Sequence, residues 1–257
     1  MKIGLFASNV VGSRIARFLG DQGEPPACLA IDALDPAGLN SNIIANAGLV
    51  DSSLVFTSNS LSDQATLERL RELNLDLIVL AWWPSILKQQ LIEIPRLGCL
   101  NFHPSFLPYN RGKHYNFWAI VEGAPFGVTI HWVDVAVDCG DIAFQSRIDT
   151  SWEDTGATLY YKAQEEIVRL FKEKFSEIRA GRIPRIPQDL GRGSVHFARE
   201  LDQVSRMELD RNYTARELLN LLRARTFSPH PAAWFVDEGK RYEVRIEIKR
   251  VDEEGQN

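Results

Sequence analysis

The sequence predicts an α/β protein built on a doubly wound, mostly parallel sheet, and three observations lead to this prediction. Short apolar stretches alternate with amphipathic stretches of helical length through residues 1–185, which is the pattern of consecutive βαβ units. One apolar stretch, "LDLIVLAWW", is uninterrupted, as is typical of a parallel strand that is covered on both faces. With 257 residues, of which 45% are hydrophobic, the chain is long enough for one large domain and a smaller appendage.

The first half of the chain opens with a predicted buried strand, "KIGLFA", and a turn that leads into the helix "SNVVGSRIARFLGDQG". The next predicted elements are the strands "ACLAID" and "SLVFTS" and the amphipathic helix "LSDQATLERLRELN", with Ser60 or Ser62 as its N-cap. Two further strands follow, "LDLIVLAWW" and "LGCLNF". The first turn contains one glycine, Gly12, and therefore lacks the GxGxxG fingerprint of a dinucleotide site.

The second half is predicted to contain the helix "HYNFWAIVEG", the strands "GVTIHWVD" and "DIAFQSRID", and a long amphipathic helix over 155–180 that Gly181 ends. The stretch "RIPRIPQDLGRGS" has two prolines and two glycines, which is typical of a linker. Beyond it we expect a helix after Thr214 and a hairpin of "AAWFVD" and "RYEVRIEIKRV" that turns at Glu238 and Gly239. We therefore predict a main domain at 1–185 and a helix and hairpin appendage at 186–257.

Composition excludes several classes of function. A net charge of −5 argues against a general nucleic-acid binder, which needs clustered Lys and Arg. No stretch approaches the roughly 20 apolar residues that span a bilayer, and the N-terminus has no cleavage-site pattern, so we expect a cytoplasmic protein. Cys28, Cys99 and Cys139 are isolated and the five His residues lack metal-ligand spacing, so we predict no disulfide framework and no metal.

Three polar side chains stand out as a possible reaction centre. Asn101 and His103 end a predicted strand, in "NFHPSFLPYNRG", and Asp138 lies in "VAVDCGDIAF". In an open α/β sheet ligands bind outside the carboxyl ends of the strands. An Asn can stabilise an oxyanion, a His can take a proton near neutral pH, and an Asp can orient the imidazole, which together suit addition of an amine to a carbonyl. Turn-forming Asn and Asp residues beside an incidental His are the ordinary alternative.

The stretch "LNFHPSFLPYNRGKHYNFWAIVEG", with "GVTIHWVDVAVDCGDI" after it, resembles the formyltransferases that use N10-formyltetrahydrofolate. The resemblance extends over most of 1–185 and implies a Rossmann-like formyltransferase fold in which Asn101, His103 and Asp138 take the places of the catalytic triad. It also implies an apolar slot for the folate between the segments "LAWWPSIL" and "VAVDCGD". The residues expected in that slot are Trp82, Trp83, Ile86, Leu87, Val135, Val137, Cys139, Gly140 and Asp141.

Within this family the chain is most similar to the sugar N-formyltransferases, on the acceptor loop "PYNRGKHYNFWAIVEG" and on "RARTFSPHPAAWF". The resemblance implies a nucleotide-linked 4-amino-4,6-dideoxysugar as acceptor, such as GDP-perosamine or a dTDP-aminosugar, and a role in surface polysaccharide (O-antigen, lipopolysaccharide) biosynthesis. The residues expected to bind the acceptor are Asn9, Arg14, Ser105, Leu107, Tyr109, Asn110, Arg111, Gly112, Lys113 and Tyr115.

Other members of the family stay open as alternatives. One is a glycinamide ribonucleotide formyltransferase-like enzyme, and the other is a catalytically silent module that binds folate or a nucleotide sugar. A methionyl-tRNA formyltransferase is less expected than a sugar N-formyltransferase, because the chain is acidic overall. The C-terminal hairpin, with Trp234 and Phe235 beside Val244 and Ile246, is predicted to form a homodimer interface. Phe227 and His230 belong either to that interface or to a pocket.

Overall fold

The computed structural model describes residues 1–49 and 51–251, so residues 252–257 of the predicted appendage lie outside it. In chain order the strands and helices are Ile3–Ala7 (β1), Asn9–Asp21 (α1), Cys28–Ile31 (β2), Asn40–Asn46 (α2), Val55–Thr57 (β3), Gln64–Glu72 (α3), Leu77–Ala81 (β4), Gln89–Ile92 (α4), Cys99–His103 (β5), Arg111–Gly112 (β6), Tyr115–Glu122 (α5), Gly127–Trp132 (β7), Ile142–Arg147 (β8), Gly156–Arg179 (α6), Val195–His196 (β9), Glu200–Val204 (α7), Ala215–Ala224 (α8), Ala233–Asp237 (β10) and Lys240–Val244 (β11).

A seven-stranded sheet forms the centre of the molecule, with the strand order β3-β2-β1-β4-β5-β7-β8. The strands from β3 to β5 are parallel, and β7 is antiparallel to both of its neighbours. The predicted α/β fold with a mostly parallel sheet and a small C-terminal part is confirmed. Strand order reverses direction at β1, which lies between β2 and β4, so the crevice for a ligand is expected at the carboxyl ends of β1 and β4 and of β5 beside them.

Helices cover both faces of the sheet because alternate residues of each strand point to opposite sides. In β4, Val79 packs with α1, α5 and α6 on one face, while Ile78 packs with α3 and α4 on the other. The longest helix, α6, lies in the first of these cores, and a capping box between Thr155 and Thr158 satisfies its first backbone N–H groups. These two cores hold the strand ends rigidly, which is the condition for a preorganised site.

The structure corrects several details of the sequence prediction. Neither Ser60 nor Ser62 caps α3: both lie in a 3₁₀ turn, and Asp63 holds the N-cap position. The predicted last strand over 241–251 ends at Val244, because its antiparallel partner begins at Ala233 and leaves the later residues unpaired. The short helix α7 has no counterpart in the prediction.

The stretch predicted as a linker packs closely on the main domain. Ile186 pairs with Ile142 of β8, and Val195 and His196 pair with Arg111 and Gly112. Across residues 1–49 and 51–251, no helix has both the length and the hydropathy to cross a membrane.

Candidate active site

Asn101 and His103 lie at the carboxyl end of β5, beside the crevice that the strand order creates. His103 is buried, with 5% of its surface exposed, and Asn101 is half-buried. Residues 82–88 follow the parallel neighbour β4 at the same end of the sheet. Because β7 is antiparallel to β5, residues 133–141 begin beside the amino end of β5, and the loop reaches His103 through Asp138.

Asp138 reaches the same place from the loop after β7. Its Oδ2 lies 3.5 Å from Nδ1 of His103 and accepts a hydrogen bond of 2.9 Å from the backbone N–H of Gly112. The loop turns sharply here: Asp138 has a φ of +53°, and a Cβ on Gly140 would lie 1.9 Å from the carbonyl oxygen of Trp132. The structure thus brings together all three predicted catalytic side chains.

The protonation states of this pair follow from burial and from the neighbouring groups. Burial lowers the pKa of His103 below its usual value, and the opposing effect of Asp138 does not reverse the shift. Burial alone would raise the pKa of the Asp138 carboxyl, but the imidazoles of His103 and His131 and the N–H of Gly112 together outweigh it, so that pKa lies well below its usual range. At neutral pH the arrangement is therefore a neutral imidazole beside a carboxylate.

A fourth polar residue, His131, belongs to the same cluster and is absent from the sequence prediction. It lies on β7 directly opposite Asn101 in the antiparallel pairing, and it is 2% exposed. Its Nδ1 is 2.8 Å from the carbonyl oxygen of Trp132, and its Nε2 is 3.1 Å from Nδ2 of Asn101. The only sequence signal for it was a His inside the apolar stretch "GVTIHW".

These distances assign the proton on His131. The carbonyl of Trp132 can only accept, so Nδ1 of His131 carries the hydrogen and Nε2 is free to accept one. The Asn101 amide therefore points its NH₂ group at His131, which leaves the second N–H of that group for a ligand. Nε2 of His131 also lies 3.5 Å from Oδ1 of Asp138. This distance is longer than those from the His131 ring to Trp132 and Asn101, so it does not decide the tautomer.

The predicted acceptor loop is tightly built. The Ser105 hydroxyl donates to the carbonyl of Tyr109 at 2.8 Å, and the Leu107 N–H donates to Thr129 Oγ1 at 3.1 Å. Both Ser105 and Leu107 are 1% exposed, so their side chains support the loop from below. Tyr109 is half-buried and Lys113 is exposed, which leaves these two on the surface of the loop.

Asn110 and Arg111 are buried by the segment that follows α6. The Asn110 side chain donates to Glu122 Oε2 at 2.8 Å. The Arg111 guanidinium contacts Sγ of Cys139 at 3.2 Å and the carbonyl of Leu190 at 3.3 Å, and its Nε has no hydrogen-bond partner among the residues described. Arg111 is 7% exposed, so its side chain links two loops and does not extend into solvent as a pyrophosphate contact on the loop surface would.

Of the remaining predicted acceptor residues, Tyr115 lies nearest to the reaction centre. Its ring centroid is 6.3 Å from that of His103, and its hydroxyl is buried with no partner in the part of the chain that the structure describes. Asn9, beside the end of β1, donates to the hydroxyl of Tyr160 at 3.3 Å. Arg14 is engaged by the carboxylate of Glu165, 2.8 Å from NH2 to Oε2, which reduces its availability to a ligand.

The predicted folate residues are divided between the two segments that flank β5. Trp82 packs edge-on against Tyr115 and has a φ of +60°, while Trp83 packs against Phe6 on the other face of the sheet. Ile86 and Val135 are strongly exposed, at 78% and 73%. A cavity of about 70 Å³ is lined by three of the predicted folate residues, Trp83, Ile86 and Leu87. Nε1 of Trp83 is buried and has no partner among the described residues. Val137 is exposed, Cys139 and Asp141 are half-buried, and Gly140 is buried.

No group of three or more His, Cys, Asp and Glu side chains that could hold a metal ion occurs in residues 1–49 and 51–251.

Comparison with known proteins places this geometry in a family. The family model described as Formyl transferase matches residues 25–174, and the model described as N-formyltransferase dimerization C-terminal domain matches residues 200–250. A methionyl-tRNA formyltransferase of Lachnospira eligens is 31% identical over 183 residues, which is 71% of this chain and 56% of that protein. The chain thus spans about half the length of the curated relatives it matches.

Two solved structures resemble the chain at 26% identity. One, from Mycobacterium tuberculosis, is described as an uncharacterised protein and candidate sugar N-formyltransferase; the match covers 98% of this chain and 99% of that one, with a TM-score of 0.78. The other is the formyltransferase PseJ from Anoxybacillus kamchatkensis in complex with UDP-4,6-dideoxy-4-formamido-L-AltNAc and tetrahydrofolate; it covers 79% of this chain and 89% of that one, with a TM-score of 0.58. Because the first family model matches more than half of the chain, around the site described above, the chain belongs to the formyl transferase family.

Proposed function

We propose that the protein transfers a formyl group from N10-formyltetrahydrofolate to the amino group of a nucleotide-linked 4-amino-4,6-dideoxysugar. The observation that carries the proposal is the cluster that Asn101, His103 and Asp138 form around His131. Asp138 lies 3.5 Å from Nδ1 of His103 and 3.5 Å from Nε2 of His131, and that Nε2 lies 3.1 Å from the Asn101 amide. A free amide N–H, a neutral imidazole and a carboxylate are the groups that attack of an amine on a formyl carbon requires.

The folate fits the residues present. Apolar side chains are exposed on both flanking segments, at Ile86 and Val135, and buried polar atoms of Trp83 and Tyr115 lack partners among the described residues. Those side chains would hold the folate, which supplies the activated formyl group. Its placement between residues 82–88 and 133–141 would set that group against the end of β5.

In the reaction each residue has one task. The free N–H of Asn101 donates to the formyl oxygen as negative charge develops on it, and His131 keeps the amide in that orientation. His103 is neutral and can accept the proton of the attacking amine. The imidazolium then donates to Asp138 through Nδ1 and to the carbonyl oxygen of Asn110 through Nε2, which lies 3.5 Å away. The new bond joins the acceptor nitrogen to the formyl carbon. When the bond between that carbon and N10 of the folate breaks, the imidazolium would return the proton to N10, so that tetrahydrofolate leaves and the formamide stays on the acceptor.

A row of aromatic rings leads away from His103 and offers a surface for the acceptor. Neighbouring centroids are 4.7 to 6.4 Å apart. In order the rings are Tyr115, Trp82, Tyr160, Phe227 and His230. Tyr and Trp present apolar faces with polar edges, which suits a sugar and a base. Lys113 is exposed beside this row and can receive phosphate charge.

The comparisons support the choice of acceptor. The Anoxybacillus protein was solved with a 4-formamido nucleotide sugar and tetrahydrofolate, and the Mycobacterium protein resembles this chain over almost its full length. A role in surface polysaccharide biosynthesis, expected from the resemblance of the sequence, forms part of the proposal.

The direct test is a mass-spectrometric screen for the gain of one formyl group across GDP- and dTDP-aminosugars, with N10-formyltetrahydrofolate as donor. We expect one or more 4-amino sugars to be formylated. In Asn101→Ala, His103→Asn and Asp138→Ala the rate should fall about 100-fold or more, because each removes a group that acts in the transition state. Asn212→Ala, at an exposed Asn in the loop between α7 and α8, serves as the matched control. Parent activity in any of the three site variants would contradict the proposal, and binding without product in calorimetry would favour a silent module.

A second candidate is favoured by the curated relatives, which are methionyl-tRNA formyltransferases at 31 to 32% identity. Charged initiator tRNA therefore belongs in the same screen. Formylation of methionyl-tRNA with no product from any aminosugar would assign the protein to that activity.

A further inference from the structure

After α6 the chain turns back across the candidate active site. We call residues 186–196 the clamp segment. Near its start, Ile186 and Ile142 exchange backbone hydrogen bonds of 2.8 and 3.0 Å, and at its end β9 pairs with β6. One end of the clamp segment is thus tied to the first residue of β8 and the other to β6, whose Gly112 binds Asp138, although the sequence there is typical of a linker.

Gln188 lies in the middle of the clamp segment and holds the loop of Asp138. Its Nε2 donates to the carbonyl oxygen of Asp138 at 2.9 Å and to that of Gly140 at 2.6 Å. The Gln188 carboxamide thus binds two carbonyl groups of the same loop, in which Asp138 adopts a φ of +53°. Without these bonds the loop would keep fewer restraints on the direction of the Asp138 carboxylate.

The end of the clamp segment contacts α5 and, through it, the predicted acceptor loop that contains Asn110. Nε2 of His196 lies 2.8 Å from Glu122 Oε1, and its ring stacks on that of Trp118 at 3.7 Å between centroids. The other oxygen of Glu122 accepts from the side chain of Asn110 at 2.8 Å, and the Asn110 carbonyl is the one that faces Nε2 of His103. The clamp segment therefore fastens the partners of both ring nitrogens of His103.

From these contacts we infer that Gln188 is a positioning residue of the proposed formyl transfer, which acts on His103 through Asp138. The inference rests on the proposed function and extends the site to a segment outside the predicted main domain. The titratable and charged groups that face His103 are Asp138, His131 and Lys113, and Gln188 controls the first of them. If the Asp138 carboxylate moves away, His103 loses the neighbour that favours its protonated form and becomes a weaker base.

The test compares Gln188→Met, which keeps the approximate size of the side chain and removes its donor, with Asp189→Asn, a change at an exposed neighbour in the clamp segment. We expect kcat/KM to fall about 100-fold in Gln188→Met, mainly through kcat, since a displacement of about 1 Å at the reacting groups has an effect of that size. The acid limb of the pH profile should move to lower pH. A merely structural role would reduce the active fraction and leave the limb in place.

A second readout needs neither donor nor acceptor. The imidazole signals can be titrated by NMR in the folded protein, with the signal of His103 assigned through His103→Asn. In Gln188→Met the midpoint of His103 should lie lower than in the parent, and in Asp189→Asn it should not move. An unchanged midpoint together with kcat/KM within twofold of the parent would overturn the inference. If the parent formylates no acceptor, the proposed function fails, and the NMR titration still decides whether Gln188 positions Asp138.

Discussion

At the scale of the residue, the chemistry of the candidate site depends on which side-chain atoms carry protons. The neutral state of His103 follows from its burial, and the direction of the Asn101 amide follows from the tautomer of His131. Sequence reasoning found Asn101, His103 and Asp138, since they stand in a recognisable motif. It missed His131, because the pairing of β5 with β7 places His131 opposite Asn101, and this pairing cannot be deduced from the sequence of either strand.

The burial of His103 also predicts how stability depends on pH. Its pKa in the folded protein lies below the value of about 6.5 expected in the unfolded chain, so the unfolded state binds the proton first as the pH falls. The contribution of His103 to stability is thus present above about pH 6.5 and is lost below it. Between pH 7.5 and 5.5, His103→Asn should lose less free energy of unfolding than the parent, as measured by urea denaturation at both pH values. Equal losses in the two proteins would contradict the assignment of a neutral His103.

At the scale of the element, the sequence predicted most helices and strands of the main domain because their hydrophobic periods are regular. The long helix α6 and the turn of the hairpin at Glu238 and Gly239 lie where the sequence placed them. The stretch of residues 182–194 was different. Its prolines and glycines indicate an irregular backbone, and only the contacts of Gln188 and His196 reveal that this backbone is fixed against the site.

The contact between β6 and β9 leads to a prediction about Gly112. A Cβ at this position would lie 2.2 Å from the carbonyl oxygen of His196, and φ is +87°. Gly112→Ala should therefore push the clamp segment away, displace the N–H that binds Asp138, and reduce kcat/KM by tenfold or more.

The matched control is Gly123→Ala, which has a φ of +63° and no atom within 4 Å of the added Cβ. Both variants carry the conformational cost of a positive φ, about 1 kcal/mol, so both should lower the melting temperature. Only Gly112→Ala should lose activity in the folded fraction. Equal activity of the two variants would show that the contact with His196 does not support the site.

At the scale of the whole molecule, the C-terminal hairpin is the proposed site of homodimer formation. Residues 200–250 match a dimerization domain model, and Tyr242 of the hairpin is 43% exposed while its ring stacks on Phe235 at 5.3 Å. Tyr242→Glu would introduce a charge into an apolar interface. We expect this variant to sediment as a monomer at concentrations where the parent is dimeric, with the fold unchanged by circular dichroism. Leu34→Glu, at a residue that is 87% exposed and lies far along the chain from the hairpin, should remain dimeric.

The sequence by itself determined the fold class and the order of the main strands along the chain, and it predicted Asn101, His103 and Asp138 as the amide, base and acid of the candidate site. Local periodicity and a contiguous motif are properties of neighbouring residues, so they can be read without a structure. Only the tertiary structure decided that His131 orients Asn101, that Arg111 is buried against Cys139 and that Gln188 holds Asp138 from 50 residues away. Those contacts depend on strand register and on loop packing, which arise from the burial of both faces of the sheet at once and leave no local pattern.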